Sequence, residues 1–175
     1  MLNILRSIEG LNDIDRFNIE PRIHKESVAS HCFFVAMCVM FLSMKVKDVD
    51  INKAIKMALL HDIEEKVSSD IPHTVKIKFP EFVEVLEDMN LKIVLKTLSG
   101  YDEFIALWKE SRNGDTEESI MVKVADWVSV LLYTEKEMKM GNTYMEKIYN
   151  RQISALSHYL RDKPKYSFVM QMFCL

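Results

Sequence analysis

Four glycines and four prolines are all that this 175-residue chain holds of the strongest turn formers. A sandwich or barrel reverses direction every ~8–12 residues and draws on such residues at most of its turns. An all-β fold is therefore all but excluded, and a doubly wound α/β fold would also want more Gly. The remaining class is all-α. The length suits one domain, 1–175, because single domains commonly run ~100–200 residues. Hydrophobic residues make up 49% and charged residues 28%, which is enough apolar surface to fold. A net charge of −3 gives no overall basic field to attract a nucleic acid polymer. No run approaches the ~18 apolar residues of a membrane span. Arg6 and Glu9 interrupt the apolar start too soon for a signal peptide. Cys32, Cys38 and Cys174 are odd in number and lack CxxC spacing, so they read as reduced, mostly buried thiols of a soluble cytoplasmic protein.

Hydrophobic spacing lays out a row of six to eight helices. Ile4, Leu5, Ile8 and Leu11 predict a first helix over 2–11. Ser27 is a good N-cap for a helix over 28–46. Its apolar positions Phe34, Val35, Cys38, Val39, Phe41 and Leu42 nearly surround the axis, which predicts a central helix. Asp50 caps a third helix over 51–67, with Ile51, Ala54, Ile55, Ala58 and Leu59 inward, and Pro72 closes that region. Pro80 opens a helix over 80–98 carrying Phe82, Val85, Leu86, Met89, Ile93 and Leu95, and Gly100 ends it. A short helix over 101–111 and a turn at Asn113-Gly114-Asp115 follow. Thr116 caps a helix over 117–140, with Glu117 and Glu118 placed where the helix dipole favours carboxylates. A last helix over 143–161 and a loose apolar tail after Pro164 complete the chain.

Several ionisable residues interrupt this apolar frame. His31 precedes Cys32-Phe33-Phe34-Val35 and reads either as a core histidine bonded to a carbonyl or as a ligand. His61-Asp62 follows Met57-Ala58-Leu59-Leu60, where two adjacent polar groups are costly unless paired or metal-bound. Glu65 lies four residues after His61 and so shares its helix face; alone it reads equally as a solvated carboxylate. Asp126 sits inside Val124-Ala125-Asp126-Trp127-Val128, where an unpaired aspartate is strongly disfavoured. Lys123 or a metal ion could be its partner. Two histidines and two aspartates form a mixed N/O set, suited to a divalent cation with open positions rather than a closed structural zinc site. Hydrolysis by a metal-activated water is the chemistry such a set serves.

The order H…HD…D on core helices resembles the HD-domain superfamily of metal-dependent phosphohydrolases. The stretches Arg16-Phe17, Glu26-Ser27-Val28-Ala29-Ser30-His31, Leu60-His61-Asp62-Ile63-Glu64-Glu65, Ser69-Asp70-Ile71-Pro72 and Lys123-Val124-Ala125-Asp126 are similar to its 5′-deoxynucleotidase branch, which includes small phage relatives that act on deoxynucleoside triphosphates. The similarity covers about residues 10–150. It implies His31, His61, Asp62 and Asp126 as ligands of one divalent ion, drawn from Co, Mn, Zn or Mg. A triphosphate substrate would admit a second ion. It further implies Glu65 as the catalytic carboxylate, Arg16 as the phosphate-binding arginine and Asp70 as a carboxylate near the 2′-deoxyribose. Phe17 stands where the branch often has Trp, keeping an aromatic wall without the indole N–H. Lys76 and Lys123 match phosphate contacts, and either could instead be ordinary surface charge. Ile19, two residues after Phe17, could narrow the base pocket or serve the core.

The resemblance makes hydrolysis of a small-molecule deoxynucleotide the expected activity, with the 5′-monophosphate as substrate. The alternative is a triphosphohydrolase of dATP type that releases triphosphate. A non-catalytic nucleotide-binding module is a third reading, disfavoured because every expected ligand and the carboxylate are present. A homo-oligomer is expected, with the apolar tail Phe168-Val169-Met170-Gln171-Met172-Phe173 as its contact.

Overall fold

The computed structural model describes residues 2–97 and 100–173, with the side chains at 88, 91, 94, 95 and 97 outside the description. Leu95 and Cys174 therefore fall outside the described side chains. The described residues form ten α-helical segments: α1 (Leu2–Glu9), α2 (Val28–Leu42), α3 (Ile51–Leu60), α4 (Glu65–Ser68), α5 (His73–Lys78), α6 (Pro80–Thr97), α7 (Asp102–Asn113), α8 (Glu117–Lys139), α9 (Met145–Tyr159) and α10 (Phe168–Phe173). Seven of these have eight residues or more, in line with the expected six to eight. The extra three, α4, α5 and α10, have four to six residues, too short for a periodic hydrophobic signal. Among the described residues no strand forms.

The expected caps are present. The Ser27 hydroxyl accepts from the Ser30 backbone N–H, the Thr116 hydroxyl from that of Ser119, and the Asp50 carboxylate from that of Lys53. Gly114 takes φ of 74°, the left-handed turn that ends α7.

The central helix is α8 rather than α2. α8 packs against α2, α3, α7 and α9, and its buried side chains run from Ser119 to Glu137. α2 buries only the half carrying Val28, His31, Cys32, Val35, Ala36, Val39 and Leu42, while Phe33, Met40, Phe41 and Met44 face outward. An apolar sequence on all sides of a helix thus marks one buried face and one exposed apolar face. α6 likewise exposes Phe82, Val85, Met89 and Ile93. The tail is not loose: Tyr166 and Val169 are fully buried, and Phe168, Met170 and Phe173 pack on the main core. Cys32 is buried and Cys38 partly so, both as free thiols.

The third helix is shorter than expected. From Leu60 the backbone tightens: Ile63 N–H reaches the Leu60 carbonyl (3.1 Å) and Glu65 N–H that of Asp62 (3.1 Å). These i→i−3 bonds wind the chain more steeply than an α-helix. His61 and Asp62 therefore sit on a turn between α3 and α4, not on one straight helix face with Glu65.

The segment 15–27 closes as a loop through a single antiparallel bridge, Asp15 to Ser27. Arg16 N–H donates to the Glu26 carbonyl and Val28 N–H to that of Ile14, both at 2.9 Å. Glu137 of α8 clamps its middle. Its fully buried carboxylate accepts from Ile23 N–H (2.7 Å), His24 N–H (2.6 Å) and Asn142 Nδ2 (2.8 Å). Burial pushes this carboxyl upward, but the three donors win and hold it below the usual carboxylate range. A depressed folded value means that its contribution is complete above the unfolded-state value, ~4.3, and fades as pH falls through the folded one. Glu137→Ala is expected to cost ~2–4 kcal/mol in urea melts at pH 7, because two backbone N–H groups lose a charged acceptor. The gap from wild type should shrink as the pH of the melts is lowered below 4; an unchanged gap would sink the assignment.

Candidate active site

Three elements bring the ionisable residues together: α2 supplies His31, the turn after α3 supplies His61 and Asp62, and α8 supplies Asp126. Among the described residues His31, His61 and Asp62 form a set whose candidate ligand atoms all lie within 4.8 Å of one another. His61 Nε2 lies 3.2 Å from Asp62 Oδ2, and His31 Nε2 lies 3.8 Å from the same oxygen. Asp126 joins through His31, its Oδ1 3.3 Å from His31 Nε2, while its Oδ2 meets Lys123 Nζ at 3.4 Å. Both partners weighed for Asp126, Lys123 and the ligand cluster, are thus within reach.

The donor set fits a divalent cation. The Nε2 atoms of both histidines are buried without a hydrogen-bond partner, a costly state that coordination would relieve. His61 Nδ1 contacts the Ala58 carbonyl at 2.7 Å, which places the ring proton on Nδ1 and the lone pair on Nε2. His31 Nδ1 lies 3.1 Å from Ser129 Oγ and 2.7 Å from Arg16 Nη1.

Charge in the cluster is strongly coupled. Burial disfavours ionised Asp62, yet His61 and His31 outweigh it and keep the carboxylate charged. Burial acts the same way on Asp126 and is overcome by Lys123 and His31. Burial and then the Arg16 charge push His31 down, whereas Asp62 overrides burial to raise His61.

Arg16 spans the cluster and its loop. Nη1 is 2.8 Å from Glu26 Oε2, and both side chains are largely buried. Burial alone would lower its pKa, but Glu26, Asp126, Asp62 and Asp70 keep the guanidinium protonated. Phe17 has φ of 52°, a left-handed conformation uncommon for a bulky residue. Asp70 supports it: its Oδ2 accepts from Phe17 N–H (2.9 Å), and its carbonyl accepts from Asn18 Nδ2 (3.0 Å). The Phe17 ring stacks on Tyr133, with centroids 4.9 Å apart and planes 6° from parallel.

Glu65 is buried, with Oε2 unpartnered. Burial, reinforced by Asp62 and Asp70, pushes its carboxyl up to about 9, against the pull of Arg16 and Lys76. Neighbouring Glu64 borders the same cleft but is tied to α7. It accepts from Trp108 Nε1 and Arg112 Nη1, both at 2.8 Å, and anchors the turn to α7.

Two cavities meet at the cluster, sharing Arg16, Asp70, Lys76, Lys123 and Asp126. One, of about 300 Å³, lies between α8, α9 and the loops carrying Phe17 and Ile71. Ile19 lines it from the exposed rim, which disfavours the core role. The other, of about 510 Å³, is lined by His61, Asp62, Glu64, Glu65 and Glu87. All eleven residues singled out in the sequence therefore border the cluster or these cavities. Five further residues at the site were not among them: Glu26, Ser129, Tyr133, Arg151 and Gln152. Only Glu26 carried a signal, its place in the stretch leading to His31.

The chain belongs to the HD-domain family, whose model matches residues 8–164. It is 32% identical over 131 residues to the 5′-deoxynucleotidase HDDC2 of Dictyostelium discoideum, an alignment covering 70% of this chain and 68% of that protein. An HD-domain phosphohydrolase from Listeria innocua shares the fold at TM-score 0.83 and 21% identity, over 97% of this chain and 85% of that one. The HD phosphohydrolase DatZ of cyanophage S-2L, bound to dA and one catalytic Zn²⁺ ion, matches at TM-score 0.73 and 15% identity, over 96% and 94% of the two chains.

Proposed function

We infer that this protein is a metal-dependent 5′-deoxynucleotidase that converts a deoxynucleoside monophosphate to deoxynucleoside and phosphate. The observation that carries the reading is the cluster of His31, His61 and Asp62, with two orphaned Nε2 atoms, set beside Arg16 and the unpartnered Glu65 carboxyl. The 5′-deoxynucleotidase relatives supply the substrate class.

His31, His61, Asp62 and Asp126 hold one divalent ion, of which Co²⁺, Mn²⁺, Zn²⁺ and Mg²⁺ are the candidates. When bound, such an ion polarises the phosphoryl group and makes water nucleophilic near neutral pH. Arg16 offers a planar fork to two phosphate oxygens and matches the charge that grows on them. Lys76 and Lys123 add positive charge at the same edge. Glu65 transfers protons, accepting from the attacking water or donating to the leaving 5′ oxygen. Asp70 acts through Phe17 as well as on the sugar, because one of its oxygens is committed to the Phe17 backbone.

The monophosphate is favoured over the triphosphate by the second cavity. A polyphosphate chain extended there would meet Glu64, Glu65 and Glu87, while Arg112, the added cation, is already paired with Glu64 and Glu87. The exposed apolar face of α2 (Phe33, Met40, Phe41), continued by Met44 in the turn after it, is the better candidate for a homo-oligomer contact, since the tail packs on its own core. Free Cys32 and Cys38 fit a reducing cytoplasm, and no helix among the described residues is long and apolar enough to cross a membrane.

The test is hydrolysis of paired deoxy- and ribonucleotides with added Co²⁺ or Mn²⁺, resolving phosphate from triphosphate. A sugar site without room or partner for a 2′-hydroxyl should prefer the deoxy substrate ~10²-fold or more in kcat/KM. Equal values for dAMP and AMP would overturn the sugar assignment, and released triphosphate would move the reading to the alternative.

A further inference from the structure

The 300 Å³ cavity continues past the phosphate end along α9, where Ile148, Gln152 and Ala155 present one face. Trp127, next to Asp126 on α8, forms the adjoining wall. Its indole N–H donates to Gln152 Oε1 at 3.1 Å. An indole nitrogen can only donate, so the amide oxygen must face it and the amide orientation is fixed. Gln152 Nε2 is left with two N–H donors, and no acceptor among the described residues takes them. Arg151, the preceding residue, also lines the cavity and has a buried, unpartnered Nε. The wall thus combines apolar and aromatic side chains with hydrogen-bond donors, the chemistry of a nucleobase pocket. The competing acceptor is Glu20. It lies at the cavity edge, with Oε2 already taken by the Tyr144 hydroxyl.

Building on the deoxynucleotide reading, we propose that Gln152 reads the edge of the base and favours oxo over amino bases, because Trp127 locks its amide with the N–H groups toward the pocket. An oxo group at the pyrimidine 4-position or the purine 6-position accepts from Nε2. An amino group at the same place brings donor against donor. Gln152 is then a specificity residue, apart from the metal cluster and from Arg16.

The experiment compares kcat/KM for dUMP against dCMP and for dIMP against dAMP, pairs that differ by oxo for amino at that edge. Binding of deoxyuridine and deoxycytidine by calorimetry gives a readout independent of turnover. Wild type should favour the oxo member roughly tenfold, the scale of one hydrogen bond. Gln152→Glu keeps an acceptor for Trp127 but turns the second atom into an acceptor, so the preference should move to dCMP and dAMP. Gln152→Met should bring each pair to near equality, and serves if the Glu variant fails to fold. Equal rates within each pair in wild type overturn the proposal while leaving the nucleotidase reading standing. A preference for amino bases unchanged in Gln152→Glu also overturns it and assigns the base edge to Glu20. No hydrolysis or binding of any of the four overturns both.

Discussion

Asp126→Ala is expected to abolish phosphate release and to lower the metal retained by purified protein. Asp126 lies in the middle of α8, with one oxygen 3.3 Å from His31 Nε2 and the other 3.4 Å from Lys123 Nζ. Removing it takes away one of the four proposed ligands. It also leaves Lys123 facing the cluster with no counter-charge from its own helix. Loss of an outer partner of a metal ligand already costs ~10–100-fold in affinity, and loss of a ligand should exceed that. Turnover without the ion should be undetectable, since water near neutral pH is a poor nucleophile toward a phosphate ester. Metal content by elemental analysis and a Mn²⁺ titration monitored by thermal shift separate this from unfolding. Asp126→Asn, which keeps the shape, guards against collapse of α8. If Asp126→Ala holds as much metal as wild type, the aspartate is a partner of Lys123 and His31 only, and the ligand set shrinks to His31, His61 and Asp62.

The residues of that set were legible because each breaks a strong local pattern. An aspartate between Ala125 and Trp127 in a buried helix is costly without a partner, and that cost shows in a linear sequence. The same logic missed Ser129, Tyr133 and Gln152, whose residue types are ordinary on half-buried helices and whose partners are distant in the chain. Gln152 meets Trp127 from another helix, and Ser129 reaches His31 across 98 residues. Burial was misread on α2 for a related reason. Periodicity reports which positions are apolar but not how many neighbours the fold supplies, so Phe34 and Phe41 read as core and lie exposed. The expected single helix over 51–67 failed at a change of pitch. Every residue through that turn is compatible with helix, and only the i→i−3 bonding from Ile63 onward distinguishes it. That steeper winding brings Glu64 onto Trp108 and Arg112 and leaves Glu65 Oε2 unpartnered in the same cleft, a division that two adjacent glutamates do not reveal.

Glu65 should separate metal binding from chemistry. It is buried beside the cluster but outside the set of converging ligand atoms, and its Oε2 has no partner. Burial and the charges of Asp62 and Asp70 raise its affinity for a proton, so that a carboxyl otherwise ionised at neutral pH can carry one. A group so placed can give a proton to a leaving oxygen or take one from water as charge around it changes. Glu65→Gln preserves size and hydrogen-bonding reach but cannot exchange the proton. It should keep full metal content and near-normal substrate affinity while single-turnover rates fall ~10²–10⁴-fold, the usual contribution of a positioned acid–base group. Arg16→Ala should differ, raising KM and lowering kcat together, because its contact to phosphate exists in the ground state and strengthens with charge in the transition state. Arg16→Lys should restore only part of this, since an ammonium lacks the bidentate fork. Loss of metal in Glu65→Gln would place Glu65 among the ligands. Full turnover in that variant would hand proton transfer to another group at the cluster, with Asp70, which shares both cavities with Arg16, the next to test.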